Sequence, residues 1–66
     1  MIIKINGKKS QINNPINVND LLLKHGYKDK LVAVAINGDF VPRSSYDDFL
    51  INEQDDIEIV APMQGG

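Results

Sequence analysis

Cysteine and tryptophan are absent from this chain of 66 residues, and histidine occurs once. Without cysteine the chain has no disulfide, no thiol nucleophile and no cysteine-ligated zinc site, a composition typical of a reducing compartment. A chain of this length buries only about 60% of its unfolded surface. Its stability must therefore come from one small packed core.

A net basic charge and long apolar runs are also lacking. The formal net charge is -2, so no basic surface is available for a nucleic-acid backbone, and we expect no nucleic-acid binding. No run approaches the roughly 18 apolar residues of a membrane helix, and the opening MIIKINGKK lacks the apolar segment and cleavage site of a signal peptide. We therefore expect a soluble cytoplasmic protein without membrane association.

Groups able to catalyse a reaction or bind a metal are scarce. His25 falls in the last turn of a predicted helix, where the helix dipole favours a cation and a structural role. The adjacent acid pairs at 47–48 and 55–56 lack the ligand spacing of a calcium loop, and we expect solvated turns there. Ser44 and Ser45 have no histidine nearby in the sequence and suit helix capping better than catalysis. The sequence thus predicts no catalytic residue, no metal site and no enzymatic activity.

Two Asn-Gly dipeptides mark the turns of two predicted β-hairpins, since this pair tolerates the positive φ of a type I′ turn. The strands of these hairpins are predicted at 1–5 and 8–12, and at 31–36 and 39–41. In the first strand the three apolar residues at odd positions share one face, while Ile2 and Lys4 share the other. This alternation predicts a sheet that is covered on one side.

A short amphipathic helix is predicted between the hairpins. Asn17 can cap its start, with Asp20 as an acid in the first turn. The side chains that would face the sheet recur at i, i+3, i+4 and i+7: Val18, Leu21, Leu22 and His25. Gly26 is the predicted stop signal, so the helix spans about nine residues.

A last strand, DIEIVA at 56–61, follows a single helical turn that Ser44 or Ser45 would cap. The helix must cover the apolar face of the sheet, which gives a two-layer α+β fold. The isoleucine-rich first and last strands suit central positions, and a right-handed crossover makes them parallel. This is the β-grasp arrangement, a mixed sheet of four to five strands covered on one face by one helix.

The segment PMQGG at the end of the sequence is predicted to lie outside the folded domain. Pro62 lacks an amide donor and ends the strand ladder, which gives a domain over 1–61 and a flexible tail over 62–66. Extended at about 3.3 Å per residue, the tail reaches roughly 16 Å. Gly65 and Gly66 lack side chains, so they can thread a narrow channel and leave the carboxyl carbon accessible. The alternative is a frayed chain end without a function.

Four segments together resemble one known family: MIIKINGK at 1–8, VAVAINGDFVPRSSY at 32–46, DDIEIVAP at 55–62 and the terminal Gly-Gly. On these the whole chain resembles the ThiS family, the sulfur carriers of thiamine thiazole synthesis within the ubiquitin-like β-grasp superfamily. Gly-Gly alone is a weakly specific motif, whereas the four segments together are strongly specific for the family.

The resemblance implies that Gly66 carries the sulfur and that Gly65 lets the tail thread into a partner. The Gly66 carboxylate would be adenylylated by a ubiquitin-activating-like adenylyltransferase of the ThiF type and then converted to a thiocarboxylate. No cofactor would be bound, because ATP is used by the partner. The implied partners are that adenylyltransferase, a sulfur donor such as a cysteine desulfurase, and a thiazole synthase of the ThiG type.

Three residues outside the tail are candidates for partner docking. Ile2 and Val60 should lie on neighbouring central strands, on the sheet face opposite the helix, and form an apolar patch. They are equally consistent with ordinary half-exposed strand residues. Arg43, which follows Pro42, is either a further contact or a solvated surface arginine.

Three other functions fit the same sequence. The small subunit of molybdopterin synthase is a similar carrier with another destination, a ubiquitin-like modifier would join target lysines through Gly66, and a passive interaction module would leave the tail unused. The compact VAVAINGDFVPRS hairpin and the chain length favour the thiazole carrier over the molybdopterin carrier.

Overall fold

The structure is a computed structural model that describes residues 1–13, 15–27 and 31–61. Within these ranges the chain forms five strands, one α-helix and one 3₁₀ turn. In chain order they are β1 (Ile2–Ile5), β2 (Lys8–Gln11), α1 (Val18–Lys24), β3 (Ala33–Ile36), β4 (Asp39–Val41), the 3₁₀ turn (Arg43–Ser45) and β5 (Asp56–Val60). The predicted element order is confirmed.

The strands form one mixed sheet in the order β2-β1-β5-β3-β4. β1 and β5 are parallel, whereas the other neighbouring pairs are antiparallel. The prediction that the first and last strands lie side by side at the centre is confirmed. The α+β fold with one helix and one mixed sheet is confirmed as well.

Both Asn-Gly dipeptides form the predicted hairpin turns. Asn6 and Gly7 have φ angles of 51° and 84°, and Asn37 and Gly38 have 54° and 87°. Two consecutive residues with positive φ define the type I′ turn, whose twist matches that of the flanking strands. The turns therefore set the strand registers, in which Ile5 pairs with Lys8 in the first hairpin and Ile36 with Asp39 in the second.

The helix begins where the capping signal predicts. The Asn17 side-chain oxygen accepts a hydrogen bond of 2.7 Å from the Asp20 backbone N–H, which satisfies one free donor of the first turn. Val18, Leu21 and Leu22 are buried, whereas His25, at the C-cap, is exposed. The helix has seven residues rather than about nine, because Asn17 and His25 are its cap residues, and Gly26, with a φ of 84°, follows as the predicted stop.

The core lies between α1 and the inner face of the sheet. Twelve buried hydrophobic residues form it: Ile3, Ile12, Val18, Leu21, Leu22, Val34, Ile36, Val41, Tyr46, Ile51, Ile57 and Ile59. Every strand except β2 contributes to this set, as alternation between the two faces of a sheet requires. Among the described residues no helix is long and apolar enough to cross a membrane.

The segment between β4 and β5 differs from the prediction. The short helical turn is a 3₁₀ turn that begins at Arg43, and neither Ser44 nor Ser45 caps it, since Pro42 holds the cap position without a side-chain bond. The carbonyl of Phe49 accepts from the Val18 N–H at 3.0 Å, and that of Tyr46 accepts from the Asn19 N–H at 3.2 Å. The segment thus supplies acceptors that the start of α1 needs.

The prediction that the pair at 55–56 lies in a solvated turn is wrong for Asp55, which is only 7% exposed. Its carboxylate accepts from the Asn37 Nδ2 at 2.9 Å and from the Asn52 backbone N–H at 2.8 Å. These two donors compensate the desolvation of the carboxylate. Asp55 therefore ties the second hairpin turn to the loop that precedes β5.

We predict that Leu21→Ala lowers the free energy of unfolding by about 2–5 kcal/mol, because it removes a fully buried side chain and leaves a cavity. Leu23→Ala is the matched control, because Leu23 lies in the same helix and is 46% exposed. It should cost less than about 1 kcal/mol. Urea unfolding followed by circular dichroism measures both. Equal losses would contradict the packing described here.

We also predict that Asp55→Ala costs about 1–3 kcal/mol, because it leaves two donors without an acceptor. The neighbouring Asp56→Ala should stay within about 0.5 kcal/mol, because the Asp56 side chain is exposed. Thermal unfolding of the two variants under the same conditions measures the loss of stability in each. A smaller loss for Asp55→Ala than for Asp56→Ala would show that the carboxylate does not hold the turn.

Candidate functional site

The candidate site lies at the end of β5. Val60, the last residue of β5, pairs with Ala33 of β3, and the described part of the chain ends at Ala61. The predicted tail, which includes Gly65 and Gly66, lies outside the described residues. The structure therefore describes the surface around the end of β5, after which the predicted tail follows in the sequence.

The Asn6 side chain holds this end of β5 from the β1 side. Its Oδ1 accepts from the Ile59 backbone N–H at 2.8 Å, and its Nδ2 donates to the Ile59 carbonyl at 3.2 Å. On the other side Ile59 pairs with Val34 of β3. Both backbone groups of Ile59 are thus bonded on the β1 side, and β3 runs along the other side of β5.

An apolar patch covers the outer face of the sheet beside the end of β5. We call it the outer patch and define it by Leu31, Ala33, Ala35, Phe40 and Val60. Its three large side chains are all strongly exposed: Phe40 is 69%, Val60 63% and Leu31 62% exposed. The sheet registers place its members together, since Ala33 pairs with Val60 and Ala35 with Phe40. Clustered exposed apolar side chains of this kind mark protein interaction surfaces.

Two shallow depressions lie within and beside the outer patch. One, of about 390 Å³, is lined by Leu31, Val32, Ala33 and Val60. The other, of about 130 Å³, includes Phe40, Glu58 and Val60 in its lining. The side chains that line them are mostly apolar, and Glu58 at the centre of the sheet is a charged neighbour. This surface is suited to a partner with apolar side chains rather than to a small charged ligand.

Ile2 and Val60 lie on neighbouring strands and are both exposed, as predicted, but the register separates them. Lys4 pairs with Asp56, so Ile2 is level with Gln54, and Val60 lies six positions further along β5. At about 3.3 Å per residue this is roughly 20 Å. Ile2 does not belong to the outer patch, and whether either residue contacts a partner stays a prediction.

Ile2 belongs instead to a more polar part of the face. It helps to line a groove of about 450 Å³ whose other members include Lys4, Lys9, Glu53 and Asp56. The outer face is therefore divided, with charged side chains at the Ile2 end and apolar ones at the Val60 end. A partner that docks next to the tail meets the apolar part.

Arg43 and His25 lie outside the outer patch as defined. Arg43 is an exposed residue of the 3₁₀ turn, and His25 is an exposed residue of the helix end. A partner contact by Arg43 stays a prediction. Within the ranges that the structure describes, His, Asp and Glu side chains form no group of three able to hold a metal ion.

Sequence reasoning missed Phe40, Leu31 and the two alanines of the outer patch. A signal for Phe40 was available, because a two-residue turn at Asn37-Gly38 pairs Ala35 with Phe40 and Val34 with Val41. Val34 and Val41 face the core, so Phe40 must face outward. Leu31 gave no such signal, because it precedes β3 and the alternation within the strand does not determine where its side chain lies.

Comparison with known proteins decides the family. A model of the ThiS family matches residues 3–66. The chain belongs to the ThiS family. Members of this family are small sulfur carriers of thiamine biosynthesis, so the β-grasp fold and the family resemblance seen in the sequence are both confirmed.

Solved structures of one ThiS protein are similar over the full length. The crystal structure of the thiamine biosynthesis protein ThiS from Geobacter metallireducens is 29% identical, with a TM-score of 0.85 and complete coverage of both chains. In the comparison with its solution structure the TM-score is 0.84, and the aligned part covers 88% of that chain. ThiS of Geobacter therefore shares the whole β-grasp arrangement described above.

Relatives by sequence include a much larger protein. A thiazole synthase from Paramagnetospirillum magneticum is 38% identical over all 66 residues, which cover 20% of that protein. The chain thus spans about a fifth of the length of this relative. The ycf40 protein of Porphyra purpurea is 30% identical over 64 residues and is covered to 90%. A ThiS-like segment accordingly occurs both as a small protein and as part of a thiazole synthase.

Proposed function

We propose that this chain carries sulfur on the C-terminal carboxyl group of Gly66 and delivers it to a thiazole synthase during thiamine biosynthesis. The observation that carries the proposal is the family match, which extends to Gly66 itself. The structural match to ThiS of Geobacter over the whole of both chains also supports it. The chain acts as a protein substrate and not as the catalyst.

The proposed chemistry takes place at the Gly66 carboxyl carbon. A carboxylate oxygen attacks the α-phosphate of ATP in the site of a ubiquitin-activating-like adenylyltransferase of the ThiF type, and pyrophosphate leaves. Sulfur from a donor such as a cysteine desulfurase, together with a thiol reductant, then displaces AMP and leaves a thiocarboxylate. ATP is used by the partner, so the carrier itself needs no bound cofactor. The absence of cysteine fits a carrier whose sulfur resides on the carboxyl group.

Glycine at the last two positions suits this reaction. Gly65 and Gly66 have no side chain, so a narrow channel can admit them and the carboxyl carbon stays open to attack. Residues 62–66 reach roughly 16 Å when extended. This reach allows the globular body to stay outside the partner while the carboxylate enters its active site.

The outer patch is the proposed docking surface for the adenylyltransferase. It adjoins the base of the tail, and Phe40 and Val60 give it two large, exposed apolar side chains. Docking there fixes the point from which the tail enters the partner, which lowers the entropic cost of placing the carboxylate. The proposal that a thiazole synthase accepts the sulfur is supported by the Paramagnetospirillum relative, in which a similar segment is part of such an enzyme.

We predict that the intact mass of the carrier rises by one oxygen-for-sulfur exchange when it is incubated with ATP, an adenylyltransferase of the ThiF type, a cysteine desulfurase and a thiol. The exchange should map to Gly66 in fragment spectra. The protein isolated from its own cells is measured alongside to establish its C-terminal residue. Three control chains should show no exchange: one without Gly66, one with an added residue after it, and Gly66→Leu.

The proposal fails if the full chain keeps its mass with partners that modify another ThiS protein, or if the chain without Gly66 still accepts sulfur. Lysine adducts joined through Gly66 to other proteins would identify a ubiquitin-like modifier instead. If sulfur is loaded, discharge by thiazole synthase and not by molybdopterin synthase is the expected result.

We further predict that Val60→Ser and Phe40→Ser raise the KM of the adenylyltransferase for the carrier by about tenfold each, which corresponds to about 1.4 kcal/mol of lost docking energy. Ile2→Ser is the matched control, since Ile2 is an exposed apolar residue at the other end of the same face. Its KM should change less than about twofold. A rise in KM with Ile2→Ser as large as that with Val60→Ser would extend the docking surface to the polar part of the face, with Ile2 as a partner contact.

A further inference from the structure

We infer that Asn6 is a positioning residue for the C-terminal chemistry, because its side-chain carboxamide holds the strand from which the tail departs. This inference rests on the proposed function. Asn6 lies 53 positions from Ile59 in the sequence. Its other structural role is that of the first residue of a hairpin turn.

The geometry follows from the unequal lengths of β1 and β5. β1 ends at Ile5, which pairs with Ile57, whereas β5 continues to Val60. The Asn6 backbone N–H still reaches the Ile57 carbonyl at 2.8 Å, but the chain then turns away through Gly7. Without a substitute, the Ile59 N–H and carbonyl would face this side with no strand beside them.

The Asn6 carboxamide is that substitute. A carboxamide has the same donor and acceptor as a peptide group, and here both are used, with distances of 2.8 Å to the Ile59 nitrogen and 3.2 Å to the Ile59 oxygen. The side chain therefore acts as one more residue of β1. It extends the parallel pairing to a point two residues before Ala61.

Position 6 requires a residue that accepts positive φ, offers an acceptor to the Ile59 N–H and offers a donor to the Ile59 carbonyl. Among Asn, Asp and Gly, only asparagine meets all three requirements. The backbone φ of 51° suits Asn, Asp or Gly. Aspartate retains an acceptor for the Ile59 N–H but brings a negative charge to the Ile59 carbonyl and offers no donor. Glycine retains the turn and loses both side-chain bonds. The two substitutions thus separate the turn from the strand contact.

Asn37 provides an internal control. It forms the equivalent turn with a φ of 54°, and its side chain is also bonded at both ends, to the Asp56 N–H at 3.0 Å and to the Asp55 carboxylate at 2.9 Å. These contacts hold the start of β5, at the opposite end from the tail. Loss of the Asn37 side chain should therefore weaken the fold without moving the base of the tail.

The consequence for the carrier is a change in kcat rather than in KM. No residue of the outer patch lies on β1 or β2, since Ala33, Ala35 and Phe40 lie on β3 and β4, Val60 on β5, and Leu31 just before β3. Docking is therefore retained when the β1 side of Ile59 is released. The carboxylate then enters the partner from a less fixed base, and small misplacements of a reacting group cost about tenfold or more in rate. A loss confined to KM would indicate damage to the docking surface.

The test compares Asn6→Gly and Asn6→Asp with Asn37→Gly. Carrier-dependent exchange of pyrophosphate into ATP by the adenylyltransferase gives kcat and KM, at a temperature where thermal unfolding shows every variant folded. Both Asn6 variants should lose about tenfold in kcat with KM within about threefold. Asn37→Gly should keep its kcat. Equal kcat losses at both positions, or an unchanged kcat in Asn6→Gly, would overturn the inference.

A second measurement does not depend on the partner. Amide hydrogen exchange of Ile59 in the free chain should be faster in Asn6→Gly than in the parent chain, and should change less in Asn37→Gly. Equal acceleration of Ile59 in the two variants would overturn the inference as well. If the parent chain itself supports no pyrophosphate exchange, the proposed function fails, and the hydrogen-exchange result still decides whether Asn6 holds the end of β5. Should Asn6→Gly fail to fold, Asn6→Asp is measured in its place.

Discussion

The central position of β5 is the constraint on which the rest of this structure depends. The last strand in the sequence lies between β1 and β3, and two of its side chains, Ile57 and Ile59, are 0% and 5% exposed in the core. The sheet is therefore incomplete until the C-terminal part of the chain has been inserted, which makes its contacts strongly non-local. In the proposed function this arrangement joins the reacting C-terminal segment directly to the central strand of the sheet.

The two Asn-Gly turns stabilise β5 as well as the hairpins to which they belong. Each asparagine accepts positive φ and thereby forms a type I′ turn. The carboxamide of each also accepts a hydrogen bond from the backbone of the central strand, at Asn37 near the start of β5 and at Asn6 near its end. Turn formation alone explains the choice of Asn over most residues but not over Gly. The side-chain bonds to β5 explain why a carboxamide is present at both places.

Much of the fold could be predicted from the sequence because its signals are local. The hairpins, the cap at Asn17 and the alternation in β5 depend on residues within a few positions of one another, and the parallel central pair followed from the pattern of those elements. The burial of Asp55 could not be predicted in this way, since its donor Asn37 lies 18 positions away. The outer patch combines residues from three parts of the chain. The prediction of one patch with Ile2 and Val60 depends on face and strand alone, whereas their separation depends on the register.

A divided outer face suits the proposed carrier, which would meet more than one partner. Small interfaces with few large apolar side chains favour transient association, and the outer patch has three such residues, Leu31, Phe40 and Val60. Weak docking is sufficient if the tail supplies further contacts only when the carboxyl group occupies an active site. Binding energy is then realised mainly when the reacting group is in place, so that it favours the reaction more than the resting complex. In the proposed function the body of the chain takes no part in the chemistry, because its role is to set the position and direction of one carboxyl group.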